Sequence, residues 1–78
     1  MANTDEILVD ARGHRCPTPT LRLRRALEQA PAGAKLRLLA DDPMARIDVP
    51  HFAAQAGIEV LSLEGEGAAI SVLVKKPI

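Results

Sequence analysis

The stretch Ile7-Leu8-Val9-Asp10-Ala11-Arg12-Gly13-His14-Arg15-Cys16-Pro17-Thr18-Pro19 changes its periodicity midway, and that change decides the fold. Ile7-Leu8-Val9 is a short apolar run closed by Asp10 and Gly13, the pattern of a first strand entering a turn. From Cys16 onward the spacing becomes helical. Pro17 and Pro19 suit a first helical turn, where a missing N–H costs nothing, and Cys16 falls at or beside the N-cap. At about 100° per residue, Pro19, Leu23, Ala26, Leu27 and Ala30 share one face, and Pro31 with Gly33 stops the helix. The expected helix covers roughly residues 17–30.

Downstream, Leu36, Leu38 and Ala40 alternate with Arg37 and Leu39 as a second strand, closed by Asp41-Asp42-Pro43. A second helix is expected with Asp48 as N-cap. That choice puts Pro50 in the first turn, turns Val49, Phe52, Ala53 and Ala56 to the core, and lets Gly57 end the helix. Ile58–Leu63 and Ala69–Val74, rich in β-branched residues, read as two strands joined by a hairpin turn at Glu64-Gly65-Glu66-Gly67. Strands joined through helices are expected to be parallel with right-handed crossovers, and the last pair antiparallel. The fold class is therefore α+β: a two-layer α/β sandwich, β-α-β-α-β-β, with a mixed four-stranded sheet and both helices on one face.

Size and composition fit one unit. Seventy-eight residues hold a single domain over 1–78, with 1–5 expected as a flexible tail, because a second core would not fit. Ten Leu, five Ile and five Val build the core, with Phe52 the one aromatic residue. Zero net charge argues against wrapping nucleic acid by bulk charge. The sequence holds no apolar run of about 18 residues and no secretory leader, so the cytoplasm is the expected address and no membrane partner is expected. One cysteine makes neither an internal disulfide nor a Cys-rich zinc site, so no metal is expected.

A lone cysteine taken alone reads as a small buried hydrophobe. Its context here argues for reactivity. Cys16 follows a strand-to-helix loop, where the orphan N–H groups and positive dipole end of the first helix favour a thiolate. Arg12, Arg15, Arg22, Arg24 and Arg25 lie around it, with no acid from Ala11 through Leu27, and neighbouring cations lower a thiol pKa further. Cys-Pro-Thr-Pro also removes two N–H groups and fixes two φ values, which stiffens the corner.

Asp10-Ala11-Arg12-Gly13-His14-Arg15-Cys16-Pro17-Thr18-Pro19 resembles the D-x-x-G-x-x-C-P-x-P signature of the TusA sulfur carriers and their SirA-like relatives. Asp41-Asp42-Pro43 and Asp48-Val49-Pro50 are similar to a second block of that family, so the resemblance spans nearly the whole chain. It implies the same sandwich, with Cys16 accepting sulfane sulfur as a persulfide and relaying it. Asp10, Gly13, Pro17 and Pro19 match the motif as framework. The implied activity is a sulfurtransferase that works as a carrier. Its implied partners are a donor, a cysteine desulfurase or rhodanese-like protein, and an acceptor sulfur-relay protein. Family members serve tRNA thiolation, molybdenum-cofactor or sulfur-oxidation routes. Some relatives carry a second cysteine after the D-[IV]-P segment; Pro50-His51-Phe52-Ala53 offers none here, which excludes release through an intramolecular disulfide. Persulfide exchange requires no cofactor, and direct nucleic-acid binding is not expected.

Transfer between proteins calls for a docking face. On the helical wheel Leu21 falls opposite the core stripe, between Arg24 and Arg25, and is expected at the surface. Leu21 with Arg12, Arg15, Arg22, Arg24 and Arg25 would form an apolar spot ringed by positive charge for an acidic partner. His14 is a candidate proton acceptor for Cys16 and otherwise a solvated loop residue; His51 has no ligand-spaced neighbour. Asp10 reads as a brace of the loop, Asp41, Asp42 and Asp48 as turn and cap residues, and Lys75 and Lys76 as charges that blunt a strand end. Two other functions use the same residues: a non-catalytic module that binds an acidic protein or RNA through the Arg-rich helix, and a thiol sensor that responds to oxidants at Cys16.

Overall fold

The structure, a computed structural model, describes residues 6–13 and 18–77. Its elements are β1 (Glu6–Asp10), α1 (Thr18–Gln29), β2 (Lys35–Ala40), α2 (Ala45–Ala56), β3 (Glu59–Glu64) and β4 (Ile70–Lys75). They form one four-stranded sheet in the order β1-β2-β4-β3. β1 and β2 are parallel, and β4 is antiparallel to both β2 and β3. The β-α-β-α-β-β sandwich expected from the sequence is therefore the observed fold, with β4 inserted between the two strands that α2 connects. Among the described residues no helix is long and apolar enough to cross a membrane.

Alternation in the strands separates the two faces of the sheet. Leu36, Leu38 and Ala40 of β2 and Ile70, Val72 and Val74 of β4 are buried, and they pack with Leu23, Leu27 and Ala30 and with Ala45 and Val49. A fully buried Leu or Val contributes roughly 2 kcal/mol, and in so small a chain the handful of such residues in this layer supplies most of the hydrophobic stabilisation. The intervening residues Arg37, Leu39, Ser71 and Leu73 lie on the uncovered face. There Arg37 donates to Glu6 at 2.7 Å and to Ser71 Oγ at 2.7 Å, tying together three strands. The Arg37 guanidinium lowers the Glu6 pKa, chiefly through that hydrogen bond.

β3 does not alternate simply. Val60 pairs with Val74 and Ser62 with Leu73, so the register shifts between Val60 and Ser62. The extra residue, Leu61, is 38% exposed. This bulge lets both Val60 and Leu63 pack against the core, which strict alternation would forbid.

The second helix begins earlier than Asp48. Asp42 Oδ1 accepts the Met44 N–H at 2.9 Å, and the Asp42 carbonyl accepts the Ala45 N–H at 2.9 Å. Asp42-Pro43 thus plays the part assigned to Asp48 and Pro50: a carboxylate at the helix entrance followed by proline, where no N–H is needed. Pro50 lies inside α2, removing the N–H that would meet the Arg46 carbonyl. Val49 and Ala53 are buried as expected, Phe52 is half-buried, and Ala56 is exposed rather than in the core. Gly57 ends the helix at φ 74°, and Ile58 N–H reaches the Ala53 carbonyl at 2.8 Å, a Schellman closure.

In α1, Pro19, Leu23 and Leu27 are buried, as is Ala30 just past its end, and Ala26 is half-buried, whereas Leu21 is 54% exposed. The core stripe and the surface position both fall where the helical spacing puts them.

Candidate functional site

Topology gathers one end of the molecule. Parallel β1 and β2 each run into a helix at the same end of the sheet, and β3, antiparallel to β4 like β2, delivers its hairpin there too. The first turns of α1 and α2 and residues 65–69 therefore share this end. Arg46, in the first turn of α2, donates to the carbonyls of Gly65 at 2.8 Å and Gly67 at 3.2 Å. That side chain fastens the hairpin to the helix.

The chain leaves β1 under tight control. Ala11 N–H bonds the Leu39 carbonyl at 2.8 Å, the last backbone rung of the parallel ladder. Two residues further on both strands, Gly13 N–H bonds the carboxylate of Asp41 at 2.9 and 3.1 Å. A side chain thus supplies the acceptor where a backbone carbonyl would continue the ladder. Gly13 has φ 86°, which favours glycine because a Cβ strains this region. Between them Arg12 donates its N–H to Asp10 Oδ1 at 3.1 Å, while its guanidinium holds both Asp10 oxygens at 2.9 and 2.8 Å. These bonds from Arg12, the side-chain one first, lower the Asp10 pKa from 3.8 to about 2. Asp10 raises the Arg12 pKa in turn.

Of the expected site residues, Asp10 and Gly13 lie together at this turn, with Pro19 buried in the first turn of α1. Cys16, His14, Arg15 and Pro17 lie outside the described residues. The basic cluster divides by pairing. Arg12 is committed to Asp10, and Arg24 approaches Glu28 at 3.6 Å across one helical turn, both side chains being well exposed. Arg22 and Arg25 make no ion pair among the described residues and share one exposed surface with Leu21. Fewer cations are therefore free of an ion pair beside Leu21, among the described residues, than the arginine count alone indicates.

Two features of this end escaped sequence reasoning. Asp41 acts on a residue in another loop, not on its own turn; the signal was the parallel pairing of Asp10 with Leu39, which sets Asp41 beside the turn after β1. The other is Thr20, whose Oγ1 is buried without a hydrogen-bond partner among the described residues. A hydroxyl at that helical position gives no sign of its isolation in the sequence. Exposed Met44 and Ile47 also sit at the start of α2. Among the described residues no group of three His, Cys, Asp or Glu side chains could hold a metal ion.

The comparisons with known proteins agree with this architecture. The family model described as sulfurtransferase TusA matches residues 7–76. The sulfur carrier protein TusA of Allochromatium vinosum is 38% identical over 76 residues, covering 97% of this chain and 99% of that protein. The crystal structure of a SirA-like protein from Desulfitobacterium hafniense superposes with a TM-score of 0.77 at 29% identity, covering 92% of this chain and 99% of that one. A family match that runs from the first strand to the end of the last, with the D-x-x-G-x-x-C-P-x-P string inside it, leaves one assignment: the chain belongs to the TusA sulfurtransferase family.

Proposed function

We propose that this protein is a sulfur carrier that holds sulfane sulfur as a persulfide on Cys16 and relays it from a donor protein to an acceptor protein. The observation that carries this reading is the family match over residues 7–76, with the single cysteine of the chain at the motif position. The Cys16 thiolate attacks the outer sulfur of a donor persulfide. One S–S bond forms as another breaks, and the donor cysteine leaves as a thiolate. An acceptor thiolate then attacks the outer sulfur of Cys16–S–SH, and Cys16 is released as a thiolate. The exchange is neutral in electrons and calls for neither metal nor organic cofactor.

The surroundings support a thiol presented to partners. Gly13 and Thr18 bracket residues 14–17, the first fixed by Asp41 and the second opening α1. The N-terminal end of α1 contributes positive potential there. Leu21, between Arg24 and Arg25 on the helix surface with Arg22 beside them, serves as the apolar point of a transient docking face for an acidic partner surface. The donor is a persulfide-forming protein such as a cysteine desulfurase or a rhodanese-like enzyme, the acceptor is a sulfur-relay protein, and the cytoplasm is the compartment of the exchange. Thiolation of tRNA is one route such a relay serves.

The test is sulfur loading. With a cysteine desulfurase, its pyridoxal phosphate and L-cysteine, wild-type protein should take up one reductant-labile sulfur, and Cys16→Ser should take up none. Equal loading of the two would place the sulfur elsewhere.

A further inference from the structure

We infer that Asp41, from the loop after β2, is the positioning residue for the segment bearing Cys16; the inference rests on the persulfide reading above. Asp41 lies 28 positions from Gly13 in the chain, yet both its carboxylate oxygens lie within hydrogen-bond reach of the Gly13 N–H, at 2.9 and 3.1 Å. Its place is set by the strand pairing. The backbone rung from Ala11 to Leu39 is fixed at 2.8 Å, and Asp41 stands two residues beyond Leu39 as Gly13 stands two beyond Ala11.

The consequence follows from chain length. A residue spans at most about 3.6 Å, so Cys16, three residues after Gly13, stays within about 11 Å of it. The described chain resumes at Thr18 in α1, which is anchored through buried Pro19 and Leu23. Removing the Asp41 carboxylate moves the near anchor back toward Ala11. Asp10 still holds the Arg12 N–H, but that bond is local and does not tie the turn to the neighbouring strand. The last tie between this turn and the neighbouring strand is then the Ala11 rung, and the chain leading to Cys16 loses its nearer anchor.

A carboxylate suits this task better than an amide. It accepts with either oxygen, and its charge sits close enough to Arg12 to favour that cation. Asparagine keeps one acceptor oxygen but can turn an NH2 group toward Gly13.

Protein-to-protein sulfur transfer needs two sulfur atoms aligned, whereas alkylation by a small reagent meets the thiol in any orientation. Asp41→Ala is therefore expected to slow loading of Cys16 by a cysteine desulfurase about tenfold. Alkylation of Cys16 by iodoacetamide should change by less than about threefold, because the local chemistry of the thiol is retained. Asp41→Asn should fall between wild type and Asp41→Ala in loading rate. If Asp41→Ala fails to fold, by circular dichroism, Asp41→Asn carries the test: loading slower than wild type at unchanged alkylation supports the inference, and loading at the wild-type rate overturns it. Loading of folded Asp41→Ala at the wild-type rate overturns it, as does a loss of alkylation as large as the loss of loading, or an Asp41→Asn no better than the alanine variant. A wild type that never loads would instead overturn the persulfide reading and this inference with it, while a wild type that loads alongside an equally competent Asp41→Ala removes only the role of Asp41.

Discussion

The ammonium nitrogen of Lys76 donates to the backbone carbonyl of Ala30 at 2.7 Å. α1 has no basic residue in its own last turn, so a residue just beyond β4 supplies the cation that satisfies a carbonyl at its C-terminal end. The backbone reinforces the contact, since Lys76 N–H bonds the Ala34 carbonyl at 2.8 Å and Gly33 N–H bonds the Lys76 carbonyl at 3.2 Å. Thus the helix that follows Cys16 is anchored at its far end by the end of the chain's last strand.

Lys76→Met keeps the aliphatic stem and removes the donor. A partly buried, charge-assisted hydrogen bond at a helix C-terminus contributes about 1 kcal/mol. In a domain of this size that loss lowers the melting temperature by roughly 4–8 °C. Thermal unfolding followed by circular dichroism measures it, and an unchanged midpoint would show that water replaces the ammonium at no cost.

Asp10 sets a pH dependence with a definite sign. Its folded-state pKa is depressed from 3.8 to about 2 by the Arg12 side chain and N–H. The associated stabilisation is therefore fully present above the unfolded value and is lost as pH falls from about 4 toward 2. Wild type should exceed Asp10→Asn in urea midpoint at pH 5, and the gap should close across that window. Both partners are exposed, so the gap is small and shrinks with added salt. A gap that widened on acidification would contradict the assignment.

Thr20→Val should stabilise the fold. The buried Oγ1 has no partner among the described residues, and an unsatisfied buried hydroxyl costs about 1–3 kcal/mol. Valine keeps the branched shape and deletes that cost. The expected result is a rise of about 1 kcal/mol in unfolding free energy by urea titration, with loading of Cys16 unchanged. A fall in stability would mean that the hydroxyl finds a partner in solution.

Leu21→Asp tests the docking face. Leu21 is 54% exposed, so the change should leave stability within about 0.5 kcal/mol. Loss of a central apolar contact, with a negative charge set among arginines, should slow sulfur uptake from a donor protein about tenfold. Unchanged uptake and onward transfer would remove this face from the account.

The layers of the fold could be read from local periodicity because local chemistry enforces them. The shift from a strand at Ile7-Leu8-Val9 to a helix marked by Pro17 and Pro19, and the alternation through Leu36, Leu38 and Ala40, are each contained in a few neighbouring residues. The start of α2 is not fixed by local sequence because two Asp–Pro patterns compete there. Asp48-Val49-Pro50 resembles a helix entrance, but Asp42-Pro43 meets the helix first, and the bonds from Met44 and Ala45 decide between them. Contacts distant in sequence have no local signature. The bulge at Leu61, the reach of Asp41 to Gly13 and the cap on Ala30 by Lys76 all appear only once the strands are paired. At the site, the exposure of Leu21 followed from the helical wheel, whereas the pairing of Arg12 with Asp10 removed one cation from a cluster that counting treated as free.

The central claim is that Cys16 carries sulfur, and intact-mass spectrometry measures that most directly. Reduced wild-type protein and Cys16→Ser are incubated in parallel with a cysteine desulfurase, pyridoxal phosphate and L-cysteine, then weighed before and after reductant. Wild type should gain the mass of one sulfur atom and lose it on reduction, while Cys16→Ser stays at its starting mass. A wild type that gains no sulfur from a desulfurase, a rhodanese or polysulfide, or a Cys16→Ser that gains it equally, would show that Cys16 is not the sulfur-bearing residue.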